Sequence, residues 1–419
     1  MELSIVIPTL HEAENVRLLL PRLHHAARMF LAPDEYEILI MDACSTDDIA
    51  RVVSEGGARL VTVPGGYGRA LRKGFETARG RYIITMDADL SHNPYIIPQL
   101  YSHREDAEMI IASRWIRSGH STTEWTRTLL SRALNMAFGF ALDLSIRDMS
   151  SGFRLYHRRI FDEVRTEKMN FVVLLEILLK THMAGFRIKE IPFHYHPRKH
   201  GGSKARILRF GMEYLGFLFE GWRLRNSVEC ADYEDRAFSS RILFQRAWHR
   251  KRHEIIVNMV RDCESILDVG CGSSQMLNAL PQSIGCDISM NKLRFKRAPF
   301  RALVRADASQ LPFADASFEA VVLSEVLEHI PNPFTALDEA VRVTRPGGDI
   351  VIAVPEDKPW ARLIFSVYRL LHPAGYGSRH RSHPTRSVIV TAMKEHGCTL
   401  AARRGLYGIE SVLRFLAPK

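Results

Sequence analysis

The 419-residue sequence predicts an α/β protein built from two units. Three observations carry that reading. Strand-like apolar runs alternate with helical ones from the first residues, which is the rhythm of a mostly parallel sheet. The rhythm restarts near Ser265 with "SILDVGCG", a strand running into a glycine turn. The length also exceeds what one small core supports, so two domains are the natural division.

Taken in order, "LSIVIP" is a strand and "EAENVRLLLPRLHHAARMF" a helix. "YEILIMD", "IARVVSEG" and "ARLVTVP" follow, then the glycine-rich "GGYGRALRKGFETARG" and the strand "RYIITMD". Further on lie two apolar helices, "FVVLLEILLKTHMAGF" and "ILRFGMEYLGFLFEGW". The apolar pattern breaks at "NSVECADYED". The predicted organisation is a first domain over residues 1–225, a linker over 226–235 and a second domain over 236–419.

The formal net charge is +10 and the pI about 9.4, which favours an anionic partner. Residues 196–252 hold thirteen Lys or Arg against six Asp or Glu, so this seam carries most of the excess. Its mixture of apolar and basic residues suits an anionic membrane surface better than nucleic acid, and no nucleic acid is expected. Phe210, Tyr214, Phe217 and Leu218 fall on one helical face. Arg206, Arg209, Arg223 and Arg225 are its basic flanks, and Arg241, Arg246, Arg250, Lys251 and Arg252 follow, as in a helix lying at an anionic interface. The six cysteines form no CxxC pair and no zinc spacing, as suits a reducing cytosol. No run reaches the ~18 apolar residues of a membrane span, and "MELSIVIPTL" enters strand sequence without a leader pattern. The expected location is therefore cytoplasmic, peripheral at the cytosolic membrane face.

"TMDADLSHNP" places Asp87 and Asp89 one residue apart at the end of a buried-looking strand. Neighbours i and i+2 point the same way. In an open α/β sheet ligands sit beyond the carboxyl ends of the strands, and Asp42, closing "EILIMD", belongs to the same rim. Two clustered carboxylates with an open side suit Mg²⁺ or Mn²⁺, which takes phosphate oxygens as further ligands and stabilises a departing diphosphate.

Nine motifs in register extend that reading: "IVIPTLHEAENV", "LIMDACSTD", "GYGRALRKGF", "MDADLSHNP", "ASRW", "RTLLSRALN", "DMSSGFRLY", "LLEIL" and "RKHGGSK". Over residues 3 to about 225 the chain resembles the family 2 glycosyltransferases, and within them the dolichol-phosphate or polyprenol-phosphate mannosyltransferases. The resemblance implies a GT-A (nucleotide-diphospho-sugar transferase) fold and an inverting transfer. It implies Asp87 and Asp89 at the metal and diphosphate, with Pro8, Glu12 and Asp42 at the nucleotide. It implies Arg114, Arg127 and Arg132 near the acceptor phosphate, and Arg198, Ser203 and Lys204 in the "RKHGGSK" loop. Leu10, Ala43 and Ser91 stand where relatives carry other residues, which leaves GDP-mannose and UDP-hexose both open as donors.

A lipid phosphate with a second pKa of ~6 is already anionic at neutral pH. It needs alignment and charge neutralisation more than a strong base. Asp148 is a base candidate if the acceptor is a hydroxyl. Arg154 reads as a structural ion-pair partner, and Glu176, inside an apolar helix, as a buried acid that needs a partner.

In the second unit, Gly270 and Gly272 let the backbone approach a ligand at a helix start. Asp287, nineteen residues after Asp268, suits ribose hydroxyls. With "RADASQLPFADASFEAVVLSEVLEHI" and "RVTRPGGDIVIAVP", residues 255 to 355 resemble the Rossmann-like class I S-adenosylmethionine-dependent methyltransferases. The resemblance implies Asp268, Gly270 and Gly272 near the methionine part of S-adenosyl-L-methionine, Asp287 at its ribose and Asp307 near its adenine. Were a base used, His329, His380 and His383 are candidates. The function expected is sugar transfer from a nucleotide-sugar to a polyprenyl phosphate, with methylation in the same pathway. The alternative is a soluble or polymeric glycan acceptor beside a methyltransferase of unrelated or lost activity.

Overall fold

A computed structural model describes residues 1–122, 125–195, 207–297, 302–356, 358 and 384–419, without the side chains of 126–127 and 207–212. The chain divides into two compact units, Met1–Arg225 and Asn226–Lys419.

The first unit is built on β1 (Leu3–Thr9), β2 (Tyr36–Asp42), β3 (Arg59–Thr62), β4 (Tyr82–Thr85), β5 (Met109–Ser113), β7 (Arg154–His157) and β8 (Ile188–Pro192), after the short β6 (His120–Ser121) and before β9 (His194–Tyr195). The seven-stranded sheet runs β3-β2-β1-β4-β7-β5-β8, and β6 pairs with β9 apart from it. β1 lies parallel to β2 and β4, and β7 is antiparallel to both β4 and β5. Both faces of β1 are covered, so its sequence is a continuous apolar run. Ile5 and Ile7 pack with Leu19 and Leu23 of the helix Ala13–Arg28. Val6 packs on the other face with Leu71 and Phe75 of the helix Tyr67–Thr77. That helix approaches β1 at Gly74, where a Cβ would lie 2.3 Å from Val6 Cγ1. The parallel strands bring the carboxyl ends of β1, β2 and β4 to one rim, where Thr9, Asp42 and Asp87 stand.

The second unit contains β10 (Ile266–Val269), β11 (Ser283–Asp287), β12 (Leu303–Arg305), β13 (Phe318–Ser324), β14 (Thr344–Pro355), β15 (Thr399–Leu406) and β16 (Glu410–Leu416). Their order is β12-β11-β10-β13-β14-β16-β15. β10 to β14 are parallel, and β16 inserts antiparallel between β14 and β15. The strand order reverses direction at β10, the switch point at which such sheets open a crevice.

Three expectations change here. Residues 226–235, read as a linker, pack into the second unit: Cys230 and Ala231 are fully buried. The helix Ile207–Arg225 does not turn Tyr214 and Phe217 outward, because both are buried in the first unit's core. Its exposed apolar residues are Leu215, Phe219 and Trp222, while Phe210, Arg206 and Arg209 lie outside the described side chains. Arg225 and Arg252, counted among the basic flanks, are buried too. Arg225 donates to the carbonyls of Leu142 and Asp143, and Arg252 to carboxylates.

Candidate functional sites

In the first unit the chain leaves β4 through Asp87 and Asp89, and Leu90 takes a left-handed φ of 62° that turns it back. The side chain of Asp87 is one-third exposed, whereas Asp89 is buried. Asp89 Oδ1 accepts from Ser91 N at 3.1 Å and from Ser91 Oγ at 2.5 Å. Asp87 Oδ1 accepts from the hydroxyl of half-buried Tyr67 at 3.4 Å.

His92, which sequence reasoning missed, sets this turn. Its Nδ1 accepts the Asp87 N–H at 3.0 Å. The ring proton is therefore on Nε2, 3.7 Å from Asp87 Oδ2. Burial holds the imidazole below its usual pKa, against the attraction of Asp87 and Asp89, so it is neutral at pH 7. The five-residue spacing in "DADLSH" was the available signal.

Opposite stands Arg114, just after β5. Its Nε and backbone N–H donate to Asp148 Oδ2 at 2.8 and 2.9 Å, and its Nη2 to Asp148 Oδ1 at 2.7 Å. Burial raises the Asp148 carboxyl, but attraction and hydrogen bonds from Arg114 outweigh it and hold the group below the usual range. Both Asp148 oxygens thus hold Arg114 in orientation, and Oδ1 also accepts from Ser150 Oγ at 3.3 Å. The guanidinium lies 5.1 Å from the Trp115 ring and 5.5 Å from that of Tyr195, and Arg132 lies 4.8 Å over Trp115. Cations and rings here form one wall beside the carboxylates.

Asp42 is buried and accepts from Ser45 N at 2.8 Å and Thr9 Oγ1 at 3.3 Å, which folds the loop after β2. Glu12 accepts from Asn15, and Pro8 pairs within β1 opposite Met41. The Arg127 side chain, Arg198, Ser203, Lys204, His380 and His383 lie outside the described residues. Arg154 is buried and donates to the carbonyls of Met149, Ser151 and Leu174, so it ties the turn before β7 to the helix Val173–Met183, and among the described residues it makes no ion pair. Glu176 accepts from Lys180 at 2.8 Å and from two backbone N–H groups, a structural pair.

Among the described residues no group of three or more His, Cys, Asp or Glu forms a metal cage. Asp87 and Asp89 are two carboxylates, and Mg²⁺ is commonly bound by one or two with phosphate and water supplying the rest. The donor set fits that use.

The second unit has a cavity of about 900 Å³ at the carboxyl ends of β10, β11 and β13. Asp268, Gly270, Asp287 and Asp307 line it. Gly270 has φ +69°, and a Cβ on it would lie 2.5 Å from Val326 Cγ2. Gly272 N–H donates to Asp287 Oδ2 at 2.9 Å, and Ser289 N–H to Asp287 Oδ1 at 2.7 Å. Asp307 Oδ1 accepts from Ser309 N–H at 2.8 Å. Asp268 is buried and its Oδ2 has no hydrogen-bond partner among the described residues. Burial, reinforced by Asp287, pushes its carboxyl up to about 8. A buried carboxyl at a glycine turn, with an unmatched oxygen beside a cavity, fits an amino-bearing, cationic cofactor such as S-adenosyl-L-methionine.

Glu234 comes from the stretch read as a linker. Its carboxylate accepts from Ser273 N at 3.0 Å and Ser273 Oγ at 2.6 Å and pairs with Lys292. The cavity also holds Arg252, Glu325 and Glu328. Only "SEVLEHI" carried a hint of the last two.

Residues 4–165 match glycosyl transferase family 2, and residues 267–352 match a methyltransferase domain. The first unit is thus similar to glycosyl transferase family 2 and the second to methyltransferase domains, each over part of its length. The chain is 30% identical over 240 residues to a dolichol-phosphate mannosyltransferase of Pyrococcus furiosus, over 55% of this chain and 66% of that protein. It is 29% identical to a dodecaprenyl-phosphate galacturonate synthase of Rhizobium johnstonii, over 52% of this chain and 67% of that one. It is 27% identical to a polyprenol monophosphomannose synthase of Mycolicibacterium smegmatis, over 48% of this chain and 79% of that one. The chain thus spans just under two thirds of the first of these proteins.

Both cofactor-turn substitutions have an expected outcome. Gly270→Val puts a β-branched side chain at a left-handed φ against Val326. Asp287→Ala removes an acceptor suited to ribose. Calorimetry is expected to give S-adenosyl-L-methionine affinity weakened about 10- to 100-fold by the second, from one or two lost charged hydrogen bonds, and more by the first. Sugar transfer should stay unchanged. A wild-type chain that binds no S-adenosyl-L-methionine refutes the cofactor assignment.

Proposed function

We propose that the first unit transfers a sugar from GDP-mannose or a UDP-hexose to a polyprenyl phosphate, and that the second uses S-adenosyl-L-methionine to methylate a product of the same glycan or lipid pathway. The observation that carries the first half is the Asp87/Asp89 pair at a strand end, faced by an Arg114 cation fixed from behind by Asp148. Asp87 and Asp89 would hold Mg²⁺ or Mn²⁺, which neutralises the departing diphosphate when bound. Pro8, Glu12 and Asp42 shape the nucleotide loop. Arg114 and Arg132 neutralise the acceptor phosphate, whose oxygen needs no base. Asp148 holds Arg114 and does not take a proton.

An apolar surface supports the lipid acceptor. In the helix Trp125–Leu142, Trp125, Leu129, Met136 and Phe140 fall on one face and are strongly exposed, Met136 at 74%. The neighbouring helix Ile207–Arg225 adds Leu215, Phe219 and Trp222. Arg132 and Arg223 are exposed beside these residues. No described helix is long and apolar enough to cross a membrane. Two apolar stripes with basic neighbours suit lying in an anionic bilayer interface, which supports a peripheral location at the cytosolic face.

The test combines a donor screen with a surface variant. Mass spectrometry is expected to find a hexosyl-phospho-polyprenol from one nucleotide-sugar. Replacing Leu129, Met136, Phe140 and Phe219 with Ser should lower binding to anionic liposomes and slow transfer to the long-chain acceptor at least 10-fold. A short, water-soluble isoprenyl phosphate should react as before. Equal loss on both acceptors would place this face in the fold and not at the membrane, and products confined to soluble glycans would overturn the acceptor assignment.

A further inference from the structure

We propose that the part of the second unit's cavity beyond the cofactor turn takes a hydroxyl group of a neutral polyol, such as a sugar, and that Glu328 is the base that removes its proton. This rests on the methyltransferase reading of that unit and names its acceptor class.

The cavity, at about 900 Å³, lies near the upper end for small-ligand pockets, with room for a second group beside a cofactor. β13 runs parallel and adjacent to β10, pairing Val322 with Asp268 and Leu323 with Val269. The loop after β13 therefore emerges beside the cofactor turn, and Val326 packs directly against Gly270. Glu325, with a left-handed φ of 55°, and the turn Leu327–His329 bring Glu325 and Glu328 to the cavity lining. Tyr233 and Phe238 add rings to the same lining, surfaces suited to the apolar face of a sugar.

Charges around Glu328 single it out. Glu325 is paired with Arg252 of the helix Leu243–Val260, whose Nη2 donates to its Oε2 at 2.6 Å. Burial raises the Glu325 carboxyl, but Arg252 outweighs it and keeps the group ionised. Glu410 of β16 accepts from Trp248 Nε1 at 2.6 Å and from Arg252. His249 Nδ1 accepts from Arg252 Nη2 at 2.8 Å, and burial lowers that imidazole to about 4, so it is neutral. Arg252 is thus spent on Glu325, Glu410 and His249. His329 follows Glu328 in the turn and is exposed. Burial, then the charge of Glu325, pushes Glu328 up to about 8, with Glu410 adding to the rise and Arg252 opposing it. A carboxyl so poised is matched to proton abstraction near neutral pH. Surplus carboxylates repel a phosphate or carboxylate acceptor, which leaves neutral hydroxyls as the fitting class.

In the step, the Glu328 carboxylate takes the hydroxyl proton. The oxygen bonds to the methyl carbon, the carbon–sulfur bond breaks, and its electron pair stays on sulfur. The products are a methyl ether, S-adenosylhomocysteine and protonated Glu328, which returns its proton to water.

The test uses the full chain, methyl α-mannopyranoside as the polyol probe, and Glu328→Gln. Infrared titration of the wild type should show a carboxyl deprotonating near pH 8 that the variant lacks. Both proteins should bind S-adenosylhomocysteine with affinities within about threefold, which also shows the unit folded. Saturation-transfer NMR should detect the probe on the wild-type complex. Its methylation should rise with pH to a plateau above about 8 and fall on the order of 100-fold in Glu328→Gln, with the pH rise lost. No probe binding, no methylation of bound probe, or a variant keeping more than about a third of the rate overturns the proposal. A wild type that fails to bind S-adenosylhomocysteine overturns the methyltransferase reading instead.

Discussion

Asp89→Asn is expected to lower sugar transfer by at least 100-fold while leaving the protein folded. Asp89 is buried, and its Oδ1 takes two hydrogen bonds from Ser91. An asparagine can present its carbonyl oxygen to the same two donors, so the turn after β4 keeps its anchor. What disappears is one negative charge at a site with two carboxylates. Halving that charge removes most of the electrostatic hold on a divalent ion, and with it the neutralisation of the departing diphosphate. Loss of one such preorganised charge commonly costs 10²–10³ in rate. EDTA should produce the same loss in the wild type, restored by Mg²⁺ or Mn²⁺. The checks are the initial rate on polyprenyl phosphate and the urea midpoint of the variant. S-Adenosyl-L-methionine affinity should respond to neither treatment, since a cationic sulfonium cofactor is matched by carboxylates and has no diphosphate for a divalent ion to neutralise. Full activity of Asp89→Asn in chelator would remove the metal from the mechanism.

How much of this was legible depends on how local the cause is. The placement of Asp87 and Asp89 at the end of β4 could be read because strand periodicity and strand-end position are both local. The glycine turn at Gly270 with Asp287 was readable for the same reason. The helix Ile207–Arg225 misled because it is apolar on more than one side: Tyr214 and Phe217 are buried, and Leu215 and Phe219 are exposed. Periodicity cannot choose between two apolar faces when only the packing of the sheet decides which is covered. Glu234 was lost in a polar stretch because a solvated linker and a segment lying across a cleft share one composition. Glu325 and Glu328 owe their roles to burial and to charges that other elements bring, and Arg252 reaches Glu325 across 73 residues and Glu410 across 158. Such pairings leave no spacing in the sequence.

Asp148→Asn is expected to destabilise the first unit and slow sugar transfer, with the kinetic loss acting through Arg114. Asp148 is fully buried, and three donors of Arg114 converge on its two oxygens. Its own backbone N–H is held by Glu190, so its backbone is also anchored apart from Arg114. Removing one partner of such a pair leaves a buried charge unmatched, at a cost of roughly 3–5 kcal/mol for a full truncation such as Asp148→Ala. Asparagine keeps the shape and one acceptor and should cost less. The sign of the pH dependence follows from the depressed carboxyl of Asp148. Its stabilisation is fully present above the unfolded value of about 3.9 and is lost as pH falls through the folded value. The gap in urea midpoint between wild type and Asp148→Asn should therefore be constant near neutrality and close only in acid, below about 4. A base and a positioning group predict different cycles. If Asp148 abstracted a proton, Arg114→Lys and Asp148→Asn would lower kcat by independent factors, and the double variant would show their product. If Asp148 only orients the guanidinium, lysine already forfeits the bidentate geometry, and adding Asp148→Asn should cost little more. The expected double variant is within about threefold of Arg114→Lys alone, a strong positive coupling. Multiplicative losses, or a pH–rate limb that vanishes only with Asp148, would return Asp148 to the role of base.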